Sequence, residues 1–582
     1  MPANWREGVG PGPVVGWCGS AIFVATRAQP EGLFRGCATV SRVRWVLTVG
    51  VLVVACARPA SVVAPSPTAR PPAPTLPAAA PVQPVERPAW DGVVPQPDTL
   101  GGLTRGVLRD AGVPEADRQS FVEPYSTVDG VFTFRGGQTR AGGAFGRVPR
   151  DPVALELVWT HVTSRSRAPW FGGAGWTGQP ALVRWPAVVR NSMPKLKAEA
   201  RRDGFVEVIQ GSLDGRVHFL DLATGRPSRP PLVTGNPIKG SVSLDPRGYP
   251  LLFVGQGIPE NVPIGLRVYE LIGHREVFFL PGADRDAPRR EWGAFDSSGL
   301  LNRATDTYVV GGENGLIYLL KLHTDFDPIA LTLKVAPEVV RYRYKEQSSA
   351  HFGVENSMSA LGPLAFFADN GGTLQAIDLR SFTPLWAFSA GDDTDASLAL
   401  DVSLERPALF TGCEVDKTGP RGFSHLRRID ALTGAVEWTN SFECRGALSP
   451  KKIDAGLFAT PAIGTGDVSS LVFFTLARCP GPDDGVLLAL DKATGAEVWR
   501  LALPQYAWST PTLVKDEGGT SYLLQGGIGG LLRLVHAASG REVASLKLSG
   551  DIEASPAVFD DVVVLGTRSD RIHGVRIVGA PR

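Results

Sequence analysis

Three carboxylates fall within four residues at Asp392, Asp393 and Asp395, in the stretch GDDTD (391–395). Carboxylate oxygens are the hard donors that Ca²⁺ collects, which makes these residues a candidate metal set. The spacing is not that of an EF-hand loop, and a solvated acidic turn is the competing reading. No HExxH, GxSxG or phosphate-loop pattern occurs, and the eight histidines are dispersed without ligand spacing, which argues against zinc. No catalytic residue can be nominated on spacing alone. Six cysteines are present, none adjacent to another and none in a CxxC pair. Cys18, Cys37 and Cys56 precede the folded region. Cys413, Cys444 and Cys479 permit at most one disulfide plus a thiol, or remain buried and unpaired.

These side chains must be placed by β-structure. Gly (67) and Pro (48) are abundant, as many short strands and turns require. The 59 basic and 58 acidic residues nearly cancel, so nothing points to nucleic acid as a partner. The stretch VLLALDKATGAEVW (486–499) reads as a hairpin: an apolar run, a turn through Asp491 and Gly495, and a second run to Trp499. The Asp carboxylate can accept backbone N–H groups across the turn, and Gly495 supplies a positive φ.

Degenerate copies recur at Asp221, Glu270, Lys321, Asp378, Asp430, Asp491, His536 and Arg576, 40 to 61 residues apart. That spacing accommodates four strands per unit, the range of propeller blades. Before each hairpin lies a second strand, as in TYVVGGENG (307–315), and before that an innermost strand often marked Ser/Thr-Pro. The last unit has three strands only. ALELVWTH (154–161), an outer strand with no blade of its own, supplies the fourth and closes the ring. The expected fold is therefore all-β, an eight-bladed propeller of four-stranded antiparallel blades. Trp159, Trp386, Trp438 and Trp499 mark outer strands and are expected to dock blades.

Innermost strands line the channel of a propeller, and their starts meet the turns after each second strand on one face, where sites gather. The position two residues before each Ser/Thr-like marker gives Thr177, Lys239, Asp296, Glu355, Asp395, Phe458, Trp508 and Glu553. Four carboxylates, a lysine and two aromatics would converge as a polar funnel for a cation, a sugar or a peptide terminus. The alternative is that they cap strand ends and meet water.

Repeats of the form DGxxxALDxxTGxxxW resemble those of the PQQ-like, quinoprotein-dehydrogenase-type propellers, and VFTFRGGQTRAGG (131–143) resembles their opening segment. The resemblance spans 131–582 and implies that the repeat residues are architectural. Active dehydrogenases of that superfamily carry a vicinal disulfide against the quinone, with Ca²⁺ ligands and a catalytic Asp. No adjacent cysteines occur in this chain. PQQ and Ca²⁺ are thus the cofactors the resemblance makes conceivable, with Trp508 to stack and Glu355-Asn356 to ligate.

Ahead of the propeller, Arg42 and Arg44 precede an 11-residue apolar run (45–55) ending at Cys56. The run is too short to span a bilayer and suits a signal-peptide core, and VVAC (53–56) resembles a bacterial lipobox. A lipoprotein signal over 41–55, lipidated at Cys56, is expected. An ordinary secretory signal is the alternative. Residues 1–40 read as an upstream extension, with Val40 or Val43 as the true start. Residues 56–97 form a Pro/Ala-rich tether. Residues 98–130 form a partly helical lead-in, with helices over 99–112 and 114–125. The basic insert 187–202 reads as a helix, on the surface or against anionic lipid.

The functional expectation is an exported, monomeric, membrane-anchored binding or scaffolding module of the cell envelope, without catalysis. Its partner would be an envelope protein or a polymer. A PQQ- and Ca²⁺-dependent dehydrogenase and a glycan- or polymer-binding propeller are the alternatives.

Overall fold

The computed structural model describes residues 104–108, 115, 118–164, 172–288, 292–345, 353–446 and 453–581. The chain divides into two units, 1–75 and 76–582, and every described residue lies in the second. The signal, Cys56 and the tether lie outside the described residues.

Eight blades follow in chain order. Their third strands are Arg216–Asp221, Gly265–Glu270, Leu316–Lys321, Thr373–Asp378, Arg421–Asp430, Gly485–Asp491, Leu531–His536 and Arg571–Gly579. Each carries one of the eight copies found in the sequence. The second strands of the blades are wholly buried, because both faces of a blade pack on neighbouring blades. In the last blade, Pro152–Val162 pairs antiparallel with Arg571–Gly579, bringing His161 opposite Ile572 and Trp159 opposite Gly574. The two ends of the propeller are thereby joined in one sheet, which removes the edges an open ring would leave.

The repeat hairpin owes its sequence to blade docking. Asp491 Oδ1 accepts the N–H groups of Ala493 and Thr494 and the Thr494 hydroxyl, while Asp430 does the same at Leu432 and Thr433. At four of the joints the glycine that ends the turn, at positive φ, lies against the tryptophan of the preceding blade. Gly225 meets Trp159, Gly434 meets Trp386, Gly495 meets Trp438 and Gly540 meets Trp499. The four indole N–H groups donate across the same joints, to the carbonyls of Leu222, Ala431, Lys492 and Ala537.

The opening segment 131–143 crosses the channel beyond the innermost strands. Phe132 O accepts Leu244 N–H, Gln138 O accepts Ala360 N–H, Thr139 O accepts Leu400 N–H and Gly143 O accepts Val558 N–H. Arg135 and Arg140 are fully buried within it. Arg140 donates to the carbonyls of Met358, Ser298 and Phe134, and Arg135 to those of Pro511 and Arg140. With these carbonyl partners, desolvation pulls Arg135 down to about 9 and Arg140 to about 10.

Two features differ from expectation. The lead-in is not helical where it is described: Thr104–Leu108 is a strand, pairing antiparallel with the outer strand Glu338–Lys345 of blade three. The open edge of that strand presents unpaired N–H and C=O groups, and an extended segment satisfies them where a helix would not. Residues 118–130 contain no α-helix. The insert 187–202 is helical, as Ala187–Ser192 and Ala198–Arg201, but Val189, Met193, Leu196 and Ala200 bury it against the core. Lys195 and Lys197 stay exposed.

Cys444 and Cys479 form a disulfide, and Cys413 is a buried thiol whose pKa burial raises. Among the described residues, no helix is long and apolar enough to cross a membrane.

Candidate functional site

The Ser/Thr markers of successive blades form a belt that fixes the level of the residues above it. Gln179 N–H donates to Ser241 Oγ at 2.7 Å, Ser298 N–H to Ser357 Oγ at 2.8 Å and Ser357 N–H to Ser397 Oγ at 2.9 Å. Ser397 N–H then donates to Thr460 Oγ1 at 3.1 Å, and Thr460 N–H to Thr510 Oγ1 at 3.2 Å. Because the belt holds the innermost strands in one register, residues two positions earlier stand at one height around the channel. Lys239, Asp296, Glu355, Asp395, Phe458, Trp508 and Glu553 are half-buried there, and Thr177 is exposed. The opening segment lies further along the same strands, so the channel is closed behind them.

The carboxylates do not meet as a single ring. Asp296 and Glu355 join Glu313, from the turn after the second strand of blade three, with one oxygen of each within 4.8 Å of the others. Asp393 and Asp395 form a second trio with Glu414, held by the short pairing of Glu414–Val415 with Ala455–Gly456. Asn370 Nδ2 lies between the trios, donating to Glu355 Oε1 at 2.9 Å and Asp393 Oδ2 at 3.5 Å. Lys239 is ion-paired with Asp296 and stands 3.8 Å from Glu313 Oε1.

Asp392 is not part of either trio. Its carboxylate accepts the N–H groups of Asp393, Asp416 and Lys417, so it fixes a turn rather than offering a free oxygen. The sequence reading missed Glu313 and Glu414. Glu313 lies in the turn after a second strand and Glu414 in the short strand Glu414–Val415 that follows another, and their acidic side chains were the available signal.

Electrostatics sets these groups apart. Burial, and then the neighbouring carboxylates, hold Glu313, Asp393, Asp395 and Glu414 well above the usual carboxylate range. Burial also raises Asp296, with Lys239 opposing. Glu313 Oε1, Asp296 Oδ1, Asp393 Oδ1, Asp395 Oδ1 and Glu414 Oε1 are buried oxygens that no N–H or hydroxyl donor reaches, and a carboxyl proton shared within Asp296–Glu313 and Asp395–Glu414 is the hydrogen bond open to those two pairs. Glu313 and Glu414 are only 2% and 3% exposed. Such an arrangement favours the protonated form or takes up a cation.

The other side of the mouth is aromatic and basic. Phe458 and Trp508 lie 5.2 Å apart between ring centroids, and Tyr506 and Trp508 lie 5.9 Å apart. The Arg478 guanidinium sits 3.6 Å over Tyr506, on the loop pinned by the Cys444–Cys479 disulfide. Arg568 stands 3.4 Å from Glu553, whose carboxyl burial raises to about 7.

The oxygen donors of the trios fit Ca²⁺ or another hard cation. A quinone fits less well. Trp508 offers a planar face, but the one disulfide among the described residues joins cysteines 35 positions apart and cannot form the vicinal plate.

The fold is an eight-bladed β-propeller whose repeats resemble PQQ-like repeats. Residues 422–518 and 483–577 match the family described as outer membrane protein assembly factor BamB. No curated protein matches the chain. Among solved structures, the computationally designed Ika8 protein is similar at 12% identity, covering 74% of this chain and 100% of that one, with a TM-score of 0.41. A europium-containing methanol dehydrogenase is similar at 13% identity, covering 77% and 98%, with a TM-score of 0.38. Neither likeness carries a conclusion about activity.

Proposed function

We propose that this propeller is a non-catalytic binding module of the cell envelope, exported and held to a membrane through lipidated Cys56, whose funnel takes a cation or a cationic group of its partner. One observation carries the reading: two adjoining carboxylate trios with buried oxygens that no N–H or hydroxyl donor reaches, and Lys239 the one cation ion-paired to them among the described residues. A cationic ligand would offset both the burial and the mutual repulsion that disfavour the charged carboxylates. The lipobox-like VVAC and the match to an outer membrane assembly factor favour the envelope. A propeller with a closed far mouth and an open funnel suits a partner that docks and leaves from one side.

The test is calorimetric titration of the purified chain with Ca²⁺ and, separately, with a lysine-rich peptide, alongside Asp395→Asn and Glu414→Gln. Saturable binding of either ligand, lost in the variants, is expected; no binding of either would overturn the funnel reading. The planar Trp508 face favours one rival, a PQQ- and Ca²⁺-dependent dehydrogenase, and stoichiometric quinone absorbance with dye-linked alcohol oxidation would establish it instead. A glycan array read with Glu355→Ala and Glu553→Ala addresses the polymer alternative. Labelling with a radiolabelled fatty acid, compared with Cys56→Ala, reports the anchor.

A further inference from the structure

The histidines that lack ligand spacing in the sequence are not all apart in the fold. His161 lies in the closing strand Pro152–Val162, and His218 in the third strand of blade one, Arg216–Asp221. His161 Nε2 and His218 Nδ1 stand 3.4 Å apart. The separation still permits a long hydrogen bond between the rings, being beyond the usual span of about 2.7–3.2 Å. It matches the edge of a tetrahedron whose centre is about 2.0–2.1 Å from each nitrogen, the metal–imidazole distance of zinc.

The surroundings orient one ring as a metal site would. His218 Nε2 meets Asp214 Oδ2 at 3.0 Å, and the Asp214 side chain has no exposure. Asp214 is itself held by the N–H groups of Ser164 and Arg216, each at 3.1 Å. A carboxylate that takes the outer N–H of an imidazole leaves the inner nitrogen as a lone pair, as for metal-bound histidines generally. Here that lone pair faces His161. Beside the two rings is a cavity of about 120 Å³ lined also by Phe219, Leu220, Pro227, Arg229 and Pro231, a largely apolar space with volume for the waters that the ion itself would hold to complete its coordination shell. Arg229 does not oppose an ion there as a free charge, since it is paired with buried Glu207.

We propose that His161 and His218 bind a first-row transition ion of the Zn²⁺, Cu²⁺ or Ni²⁺ class, with Asp214 positioning His218, and that the ion ties the closing strand to blade one. Imidazole nitrogens select these ions, whereas the carboxylate funnel offers only oxygen and selects hard ions such as Ca²⁺. The two sites are therefore chemically distinct, and the seam site stands or falls independently of the funnel. An ion held between strands of two blades binds the closed ring and not the unfolded chain, so it resists opening at the joint where the ends of the propeller meet.

The test uses the full chain, stripped with EDTA, titrated with ZnCl₂ and in parallel with CoCl₂. One equivalent of Zn²⁺ is expected to raise the melting temperature, and Co²⁺ to give the visible absorption of a tetrahedral nitrogen site. His161→Gln, a half-buried position on an outer strand, should keep its metal-free melting temperature and lose both responses. Asp214→Asn should weaken Zn²⁺ about 10–100-fold. Glu414→Gln should leave the Zn²⁺ response intact. Absence of both responses in the native chain, or an undiminished response in His161→Gln, overturns the assignment.

Discussion

Trp499 and Gly540 meet across the joint between blades six and seven: the indole N–H reaches Ala537 O at 2.9 Å, and a Cβ on Gly540 would stand 2.6 Å from the ring. The repeat's two most recognisable residues are thus halves of one contact, contributed by different blades.

Gly540→Ala therefore meets two penalties, a ring clash and a backbone at φ +71°. Overpacking and strain together should cost about 1–3 kcal/mol. Gly519, at φ +92° with nothing near its missing Cβ, isolates the backbone term, and Gly519→Ala should cost only about 1 kcal/mol. Denaturant midpoints of the two variants measure the difference. Equal losses would show that the tryptophan contact is not selective for glycine.

In the metal-free chain, Glu414→Gln should raise stability by about 1 kcal/mol or more. The substitution replaces with a neutral amide a carboxyl whose charged form is disfavoured by burial and then by Asp395 and Asp393. The same change should abolish any Ca²⁺-dependent rise in melting temperature. Thermal scans with and without Ca²⁺ check both halves.

Glu553 carries a pH signature. Its carboxyl is raised to about 7 in the folded chain, chiefly by burial, against an ordinary value of 4.5. The folded state then binds more protons than the unfolded chain between those values, so its contribution is full below about 4.5 and is lost as pH rises through about 7. The stability difference between the native chain and Glu553→Gln should shift by on the order of 1–3 kcal/mol between pH 5 and pH 8. A difference independent of pH would contradict the assignment. Asp369, raised to about 6, slopes the same way in both proteins and cancels in the comparison.

The Cys444–Cys479 disulfide spans 35 positions between blades five and six. Closing a loop of that length is worth about 2–4 kcal/mol. The Cys444→Ser, Cys479→Ser double variant should lose that amount in denaturant, and quenching of the Trp508 emission should change as Arg478 is released from Tyr506. An unchanged denaturant midpoint would show that the bond adds nothing to the body.

Local sequence was sufficient for the blades and their closure because a hairpin's turn, its buried runs and its docking residues are set by neighbours a few positions apart. Asp491, Gly495 and Trp499 could be read together on that ground, and the strand 154–161 could be matched to the last unit because it alone lacked partners. The funnel positions could be placed in height by the Ser/Thr markers, since the belt of hydroxyls is itself local to each strand. What each of them faces could not be read. Asp392 looked like a ligand with Asp393 and Asp395, yet the backbone donors of 416 and 417 take its oxygens.

The sequence by itself determined the repeat, the count of blades and the seam, for these depend on periodicity and on short-range hydrogen bonding. Only the tertiary structure decided which charges meet. Glu414 stands with Asp395 because blade five's turn pairs with the strand entering blade six, and His161 stands with His218 because the ring closes there. Those encounters depend on the angle between blades, a property of the packed ring that no stretch of the chain carries alone.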